Sequence, residues 1–170
     1  IYLLTFTGEV VWHYKTGGRV FDVSAAVNPV AGPLFLAASK DWNVYCIDIE
    51  GDVLWNYPSR DSVLNCCASP TGDLFAAGSF DKNLYVFNED GAIMWRFGAT
   101  DYINKVRISD DGQYIVSSSK DGTIYIFHRS GDLLGRIPIT SDIFSLEFVT
   151  GDNRIYVGTQ DMMLYAINIS

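Results

Sequence analysis

The sequence is poor in the side chains that carry metal and redox chemistry. It has two histidines, His13 and His128, and neither has a second ligand at metal spacing, so both are expected to be ordinary surface groups. Cys46, Cys66 and Cys67 give neither zinc-ligand spacing nor the density of a disulfide-stapled domain, and they are expected as buried thiols. Acidic hairpins such as Asn88-Glu89-Asp90-Gly91 lack the alternating oxygens of a calcium loop and fit plain turn chemistry. No phosphate loop, nucleophile elbow or kinase signature is present, so no cofactor, metal or catalytic residue is expected.

Long apolar runs are missing too. Nothing approaches the roughly 18 residues of a membrane helix, and no signal-peptide series opens the chain, so no membrane insertion is expected. Ile1 begins inside an apparent strand, and further sequence upstream is expected. Twelve Lys and Arg against 20 Asp and Glu give a net charge of −8, the wrong sign for a nucleic-acid surface. Asn168-Ile169-Ser170 fits a glycosylation acceptor but lies in an apparent strand, and compartment stays open between cytoplasm and cell surface or periplasm. No segment sustains a period of 3.6 with caps, and aromatic and β-branched residues abound, so the fold is expected to be all-β.

What is present is a repeat. An Asp recurs at 41, 81, 121 and 161, a spacing of 40 each time. Ser39, Ser79, Ser119 and Thr159 stand two residues before it, and Tyr45, Tyr85, Tyr125 and Tyr165 four residues after it. Tyr2 starts the register one unit earlier, and six residues beyond Tyr2, Tyr45, Tyr85 and Tyr125 comes a Gly, at 8, 51, 91 and 131, where a tight hairpin needs positive φ. An apolar stretch then ends in Trp12, Trp55 and Trp95, while the fourth copy has Gly135. The copy from Val63 to Phe97 reads as four short strands with turns PTGD, FDKN and EDGA. Its two middle strands are apolar almost throughout, as a sheet covered on both faces requires.

Short, evenly spaced strands with one Gly-marked hairpin per unit are the cue for a β-propeller of four-stranded antiparallel blades. A partial blade is expected over residues 1–14, full blades over about 20–57, 63–97 and 103–137, and a partial blade over 143–170. Open ends would expose apolar faces, so the domain is expected to be part of a seven- or eight-bladed ring. A two-chain ring formed by a homodimer and a small four-bladed ring closed through residues 9–14 are the alternatives.

Segments such as SPTGDLFAAGSFDKNLYVFN and SDDGQYIVSSSKDGTIYIF resemble WD repeats, although no Gly-His pair opens the units. Ile47, Phe87, Phe127 and Ile167 also fill the strand-end Trp position. The Gly-x-x-x-Trp strand resembles the quinoprotein-like propellers, in which the Trp docks between blades. This hybrid resembles prokaryotic surface and scaffold propellers, which implies a non-catalytic interaction scaffold. The quinoprotein resemblance implies an alternative, a redox enzyme using pyrroloquinoline quinone, in which Cys66-Cys67 would form a vicinal disulfide. Strand alternation would instead send those thiols to opposite faces.

The four aspartates recur in every blade and are assigned to turn hydrogen bonding. Loops on one face hold Lys15, Arg19, Lys40, Trp42, Arg60, Phe80, Lys82, Tyr102 and Lys120, a mixed basic and aromatic surface expected to meet a protein partner. The opposite loops hold Glu9, Glu50, Asp52, Asp73, Glu89, Asp90, Asp110, Asp111, Asp132 and Asp152.

Overall fold

The computed structural model describes residues 1–149 and 154–169, and every regular element among them is a β-strand. A hairpin of β1 (Tyr2–Leu4) and β2 (Val10–His13) comes first. The first full blade is β3 (Val20–Asn28), β4 (Gly32–Ser39), β5 (Asn43–Ile47) and β6 (Val53–Pro58). The second is β7 (Val63–Ala68), β8 (Leu74–Ser79), β9 (Asn83–Asn88) and β10 (Ile93–Gly98). The third is β11 (Ile103–Ile108), β12 (Tyr114–Ser119), β13 (Thr123–His128) and β14 (Leu133–Pro138). A sheet of β15 (Ile143–Val149), β16 (Arg154–Thr159) and β17 (Leu164–Asn168) follows. Every sheet is antiparallel, with strands paired in chain order.

Blades stack face to face, which explains the apolar middle strands: β8 is buried along its whole length. Leu34, Leu36, Val44 and Cys46 of the first blade pack on Cys66, Phe75, Tyr85 and Phe87 of the second. The fourth strands lie outermost, and β10 and β14 alternate exposed and half-buried residues.

The first strands, β3, β7, β11 and β15, run side by side and are joined by polar groups. Asp22 accepts hydrogen bonds from the Asn65 amide and from the Cys66 N–H at 3.1 Å. Asn65 in turn accepts from the Val106 N–H at 2.6 Å. Asp22 and Asn65 face the same register position on their second strands, and Lys105 and Ser145 occupy that position in the next two sheets. The junction to β15 uses other groups: Asn104 donates to the Ile143 carbonyl at 3.0 Å, and Arg107 pairs with Glu147 at 3.0 Å.

The arc is open. Residues 9–14 do not pair with the strand ending at Asn168. β2 pairs with β1, Tyr2 opposite His13, and among the described residues β17 pairs only with β16. β1 takes the edge of β2 that a strand ending at Asn168 would need. One position records the opening. Val23 is 57% exposed, whereas Cys66, Val106 and Leu146 at the same place are 2%, 0% and 1% exposed. Each of those three is covered by a complete blade before it; Val23 follows only a hairpin.

Candidate functional site

The repeated turn that joins the second and third strands of a blade is built around its Asp. In the second blade the Asp81 carboxylate accepts from the Asn83 N–H at 3.0 Å, the Asn83 amide at 3.0 Å and the Tyr85 hydroxyl at 2.6 Å. It also accepts from the Arg60 N–H at 2.9 Å, in the linker arriving from the first blade. Asp41 holds the Gly17 N–H at 2.6 Å and Asp121 the Thr100 N–H at 3.2 Å in the same way. In the last sheet this bond is replaced: the Asp161 N–H donates to the Ser141 hydroxyl at 3.1 Å.

The first three aspartates therefore clamp an incoming linker as well as their own turn. Burial opposes ionisation of Asp81, but the bonds from Tyr85, Arg60 and Asn83 outweigh it and hold the carboxyl below the usual range. Burial and then the bond to Asp41 push the Tyr45 hydroxyl up to about 12. The Tyr–Asp bond is the part that sequence reading missed, although the four-residue spacing was visible.

These turns and the inter-blade linkers lie on one side of the sheets and carry the nine predicted contact residues. Lys15, Arg19, Lys40, Arg60, Lys82 and Lys120 are exposed there, and Trp42 and Phe80 are 54% and 40% exposed. The half-buried Tyr102 backs Phe80, ring centroids 4.6 Å apart. Two of the cations are committed locally, Lys120 to Asp142 and Lys82 to the Thr100 carbonyl at 3.0 Å. Met162 and Met163, 95% and 52% exposed, stand on the same face and were missed. Their signal was positional, since Met162 stands where the first blade has Trp42.

Trp42 has φ 76, a left-handed conformation unfavourable for a bulky side chain. The same position in the third blade is Gly122, with φ 79. Lys82 and Met162 hold the same position at φ 72 and 64, so the left-handed residue belongs to the turn of every repeat.

Trp12, Trp55 and Trp95 lean from the fourth strands onto the next blade's hairpin, donating to the carbonyls of Ile49, Glu89 and Arg129 at 2.7, 3.0 and 2.9 Å. Each indole lies on a glycine. A Cβ on Gly91 would come within 2.5 Å of Trp55.

On the opposite side, Glu9, Glu50, Asp52, Glu89, Asp90, Asp110, Asp111 and Asp132 are exposed. Asp73 is balanced by Arg129 at 3.1 Å, a cation the sequence reading did not count on this side. Asp152, and Ser170 of the glycosylation acceptor, lie outside the described residues.

All three cysteines are free. Cys66 packs into the core between the first two blades and Cys67 against the core between the second and third, so the neighbouring thiols face apart. Burial, then the Asp48 charge, pushes the Cys46 thiol up to about 12, and burial raises Cys66 and Cys67 as well. With a thiol-specific chromogenic reagent at pH 8, we expect only the half-buried Cys67 to react in the native protein, and slowly; all three should react in denaturant. Fast reaction of two thiols in the folded state would contradict this assignment. Among the described residues no group of His, Cys, Asp and Glu is placed to hold a metal. His13 stacks on Tyr2 at 5.6 Å. His128 ends a third strand and lies 2.7 Å from the Ser130 hydroxyl.

Comparison with known proteins agrees with this architecture. The crystal structure of the computationally designed Ika4 protein superposes with a TM-score of 0.78 at 19% identity, over 92% of this chain and 94% of that one, a likeness of fold alone. No curated protein matches the chain. The family model described as the lambda-carrageenase β-propeller domain matches residues 1–113. That span is well over half of the sequence and takes in the hairpin, two complete blades and the start of a third, so this chain belongs to the family of the lambda-carrageenase β-propeller domain.

Proposed function

We propose that the domain is a non-catalytic interaction module that engages a protein partner through the face carrying Lys15, Arg19, Lys40, Trp42, Arg60, Phe80 and Tyr102. The observation that carries this reading is the grouping of large exposed aromatic side chains, Trp42 at 54% and Phe80 at 40%, with exposed cations on one face. Aromatic side chains flanked by exposed cations suit a partner segment rich in Asp or Glu and able to bury an indole. Within the propellers, the docked Trp residues favour kinship with the quinoprotein-like repeats over the WD repeats.

The test uses a random-peptide display library selected on the immobilised domain. Enriched peptides are expected to be acidic, and Trp42→Gly should weaken them at least tenfold while leaving the melting temperature unchanged or higher. Peptides that bind Trp42→Gly and a Lys40→Glu variant as well as the parent would overturn the reading.

The family match favours a second occupant of the same face, lambda-carrageenan. Binding of that polysaccharide with the same Trp42 dependence, and no peptide enrichment, would select it. Pyrroloquinoline quinone with calcium is expected to leave the melting temperature unchanged; a rise would revive the redox alternative.

A further inference from the structure

We propose, resting on the interaction-face reading, that this face holds an extended partner segment in one orientation, its acidic end over the first blade and its basic end over the last sheet. Each sheet from β3 onward has a junction where the incoming linker meets the turn between its second and third strands. One backbone bond marks every junction: the N–H groups of Lys40, Phe80, Lys120 and Gln160 donate in turn to the carbonyls of Arg19, Ser62, Tyr102 and Asp142, at 2.7 to 2.9 Å. A single place in the repeat therefore carries a guanidinium at one end of the arc and a carboxylate at the other.

The formal charge of the whole junction falls in the same direction. The segments concerned are linkers 14–19, 59–62, 99–102 and 139–142 with turns 40–42, 80–82, 120–122 and 160–163. At the first junction Lys15, Arg19 and Lys40 against Asp41 leave +2. Arg60 and Lys82 cancel Asp61 and Asp81 at the second. At the third, Lys120 against Asp101 and Asp121 leaves −1, and at the fourth Asp142 and Asp161 leave −2. Pairing sharpens the gradient. Among the described residues the three cations of the first junction make no ion pair, whereas Lys120 is spent on Asp142 and Lys82 on the Thr100 carbonyl.

Neighbouring sheets pack about 10 Å apart, and charges are screened over about 8 Å at physiological salt, so a bound chain meets the junctions one after another instead of their average. An extended segment covers the roughly 30 Å from the first junction to the fourth in about nine residues. Apolar groups lie between the charged ends. Trp42 stands between the first and second junctions, its carbonyl accepting from the Ser59 N–H at 2.8 Å, and Phe80 packs on Tyr102 between the second and third, ring centroids 4.6 Å apart. The fitting partner is thus a segment acidic, apolar and basic in that order, and complementary charge of this kind sets orientation more than affinity.

The experiment uses two peptides of about twelve residues and one composition, the first with Asp, Val-Thr and Lys in consecutive blocks, the second with the same residues scrambled. The block peptide is expected to bind at least fivefold more tightly. A nitroxide on its acidic end should broaden amides 15–19 and 40–42 of the 15N-labelled domain, and one on its basic end amides 140–142 and 160–162. Exchanging the end charges, Arg19→Asp with Asp142→Arg, preserves net charge and both backbone bonds and should exchange the two broadening patterns; the parent measurements stand alone if that variant does not fold. Equal affinity of the two peptides, or broadening independent of which end carries the nitroxide, would overturn the fixed orientation and leave the face a binding surface. The orientation alone also falls if library-selected peptides shift the junction amides and the block peptide does not. If no peptide shifts them, the interaction-face reading falls with it.

Discussion

Replacing Trp55 by alanine is expected to lower the unfolding free energy by about 3 kcal/mol, the lower part of the range for a core Trp because this one is half-buried. The indole packs 5.5 Å from Phe75 and 5.6 Å from Phe87, ring to ring, and donates to the Glu89 carbonyl, so the loss combines a cavity with an unmet acceptor. The two blades share this contact, so unfolding should remain one transition but begin at lower denaturant. Gly91→Ala tests the other side of the contact. Alanine at φ 77 costs about 1 to 2 kcal/mol by itself, and its methyl would displace the indole 2.5 Å away. In a Trp55→Ala background only the backbone cost remains, so the two losses should fall short of additive by about 1 kcal/mol or more. Additive losses in a urea-melt cycle would mean that the indole does not rest on the glycine.

Asp81→Ala is the second large effect, at about 3 kcal/mol, since it strips four hydrogen bonds and leaves the buried end of Tyr85 and the linker N–H of Arg60 without their acceptor. The same carboxylates make the fold acid-sensitive. Asp41, Asp81 and Asp121 all sit below their ordinary range in the folded chain. Asp73 is held at about 2, first by its bond from Thr71, then, against the cost of burial, by Ser69 and Arg129. A carboxyl that is more acidic folded than unfolded adds stability above its unfolded pKa of about 3.9, and this is lost as pH falls through the folded value. The urea midpoint should therefore hold from pH 7 to about 5 and drop steeply from about 4 toward 2. Asp81→Asn should start lower at pH 7 and lose less on acidification. An identical acid slope in that variant would show that the turn carboxylate is not one of the titrating groups.

The repeat was legible because a turn is a local device. Asp81 and Tyr85 meet within five residues, so every repeat writes the same Asp and Tyr at the same interval, and the glycine under each indole marks the next hairpin in the same way. The contacts between first strands were not legible. Asp22 reaches Cys66 across 44 residues and Asn65 reaches Val106 across 41, through different residue types, so no shared letter marks the position. The proposed interaction face was half legible. Alternation of the strands placed all nine residues on one side, but only the structure shows Lys82 and Lys120 tied to their own loops and Trp42 in a glycine-like conformation.

The unlike groups along the first strands also make each blade specific for its neighbour. A carboxylate at Asp22 and an amide at Asn65 can both receive a backbone N–H, but the ammonium at Lys105 cannot, and the junction after it is built from Asn104 and Arg107 instead. Copying the third blade into the place of the first would set a donor against the Cys66 N–H. Shuffling, duplication or deletion of these outwardly similar units is thus restricted by their innermost strands: the blades have a fixed order, like differently cut keys on one ring.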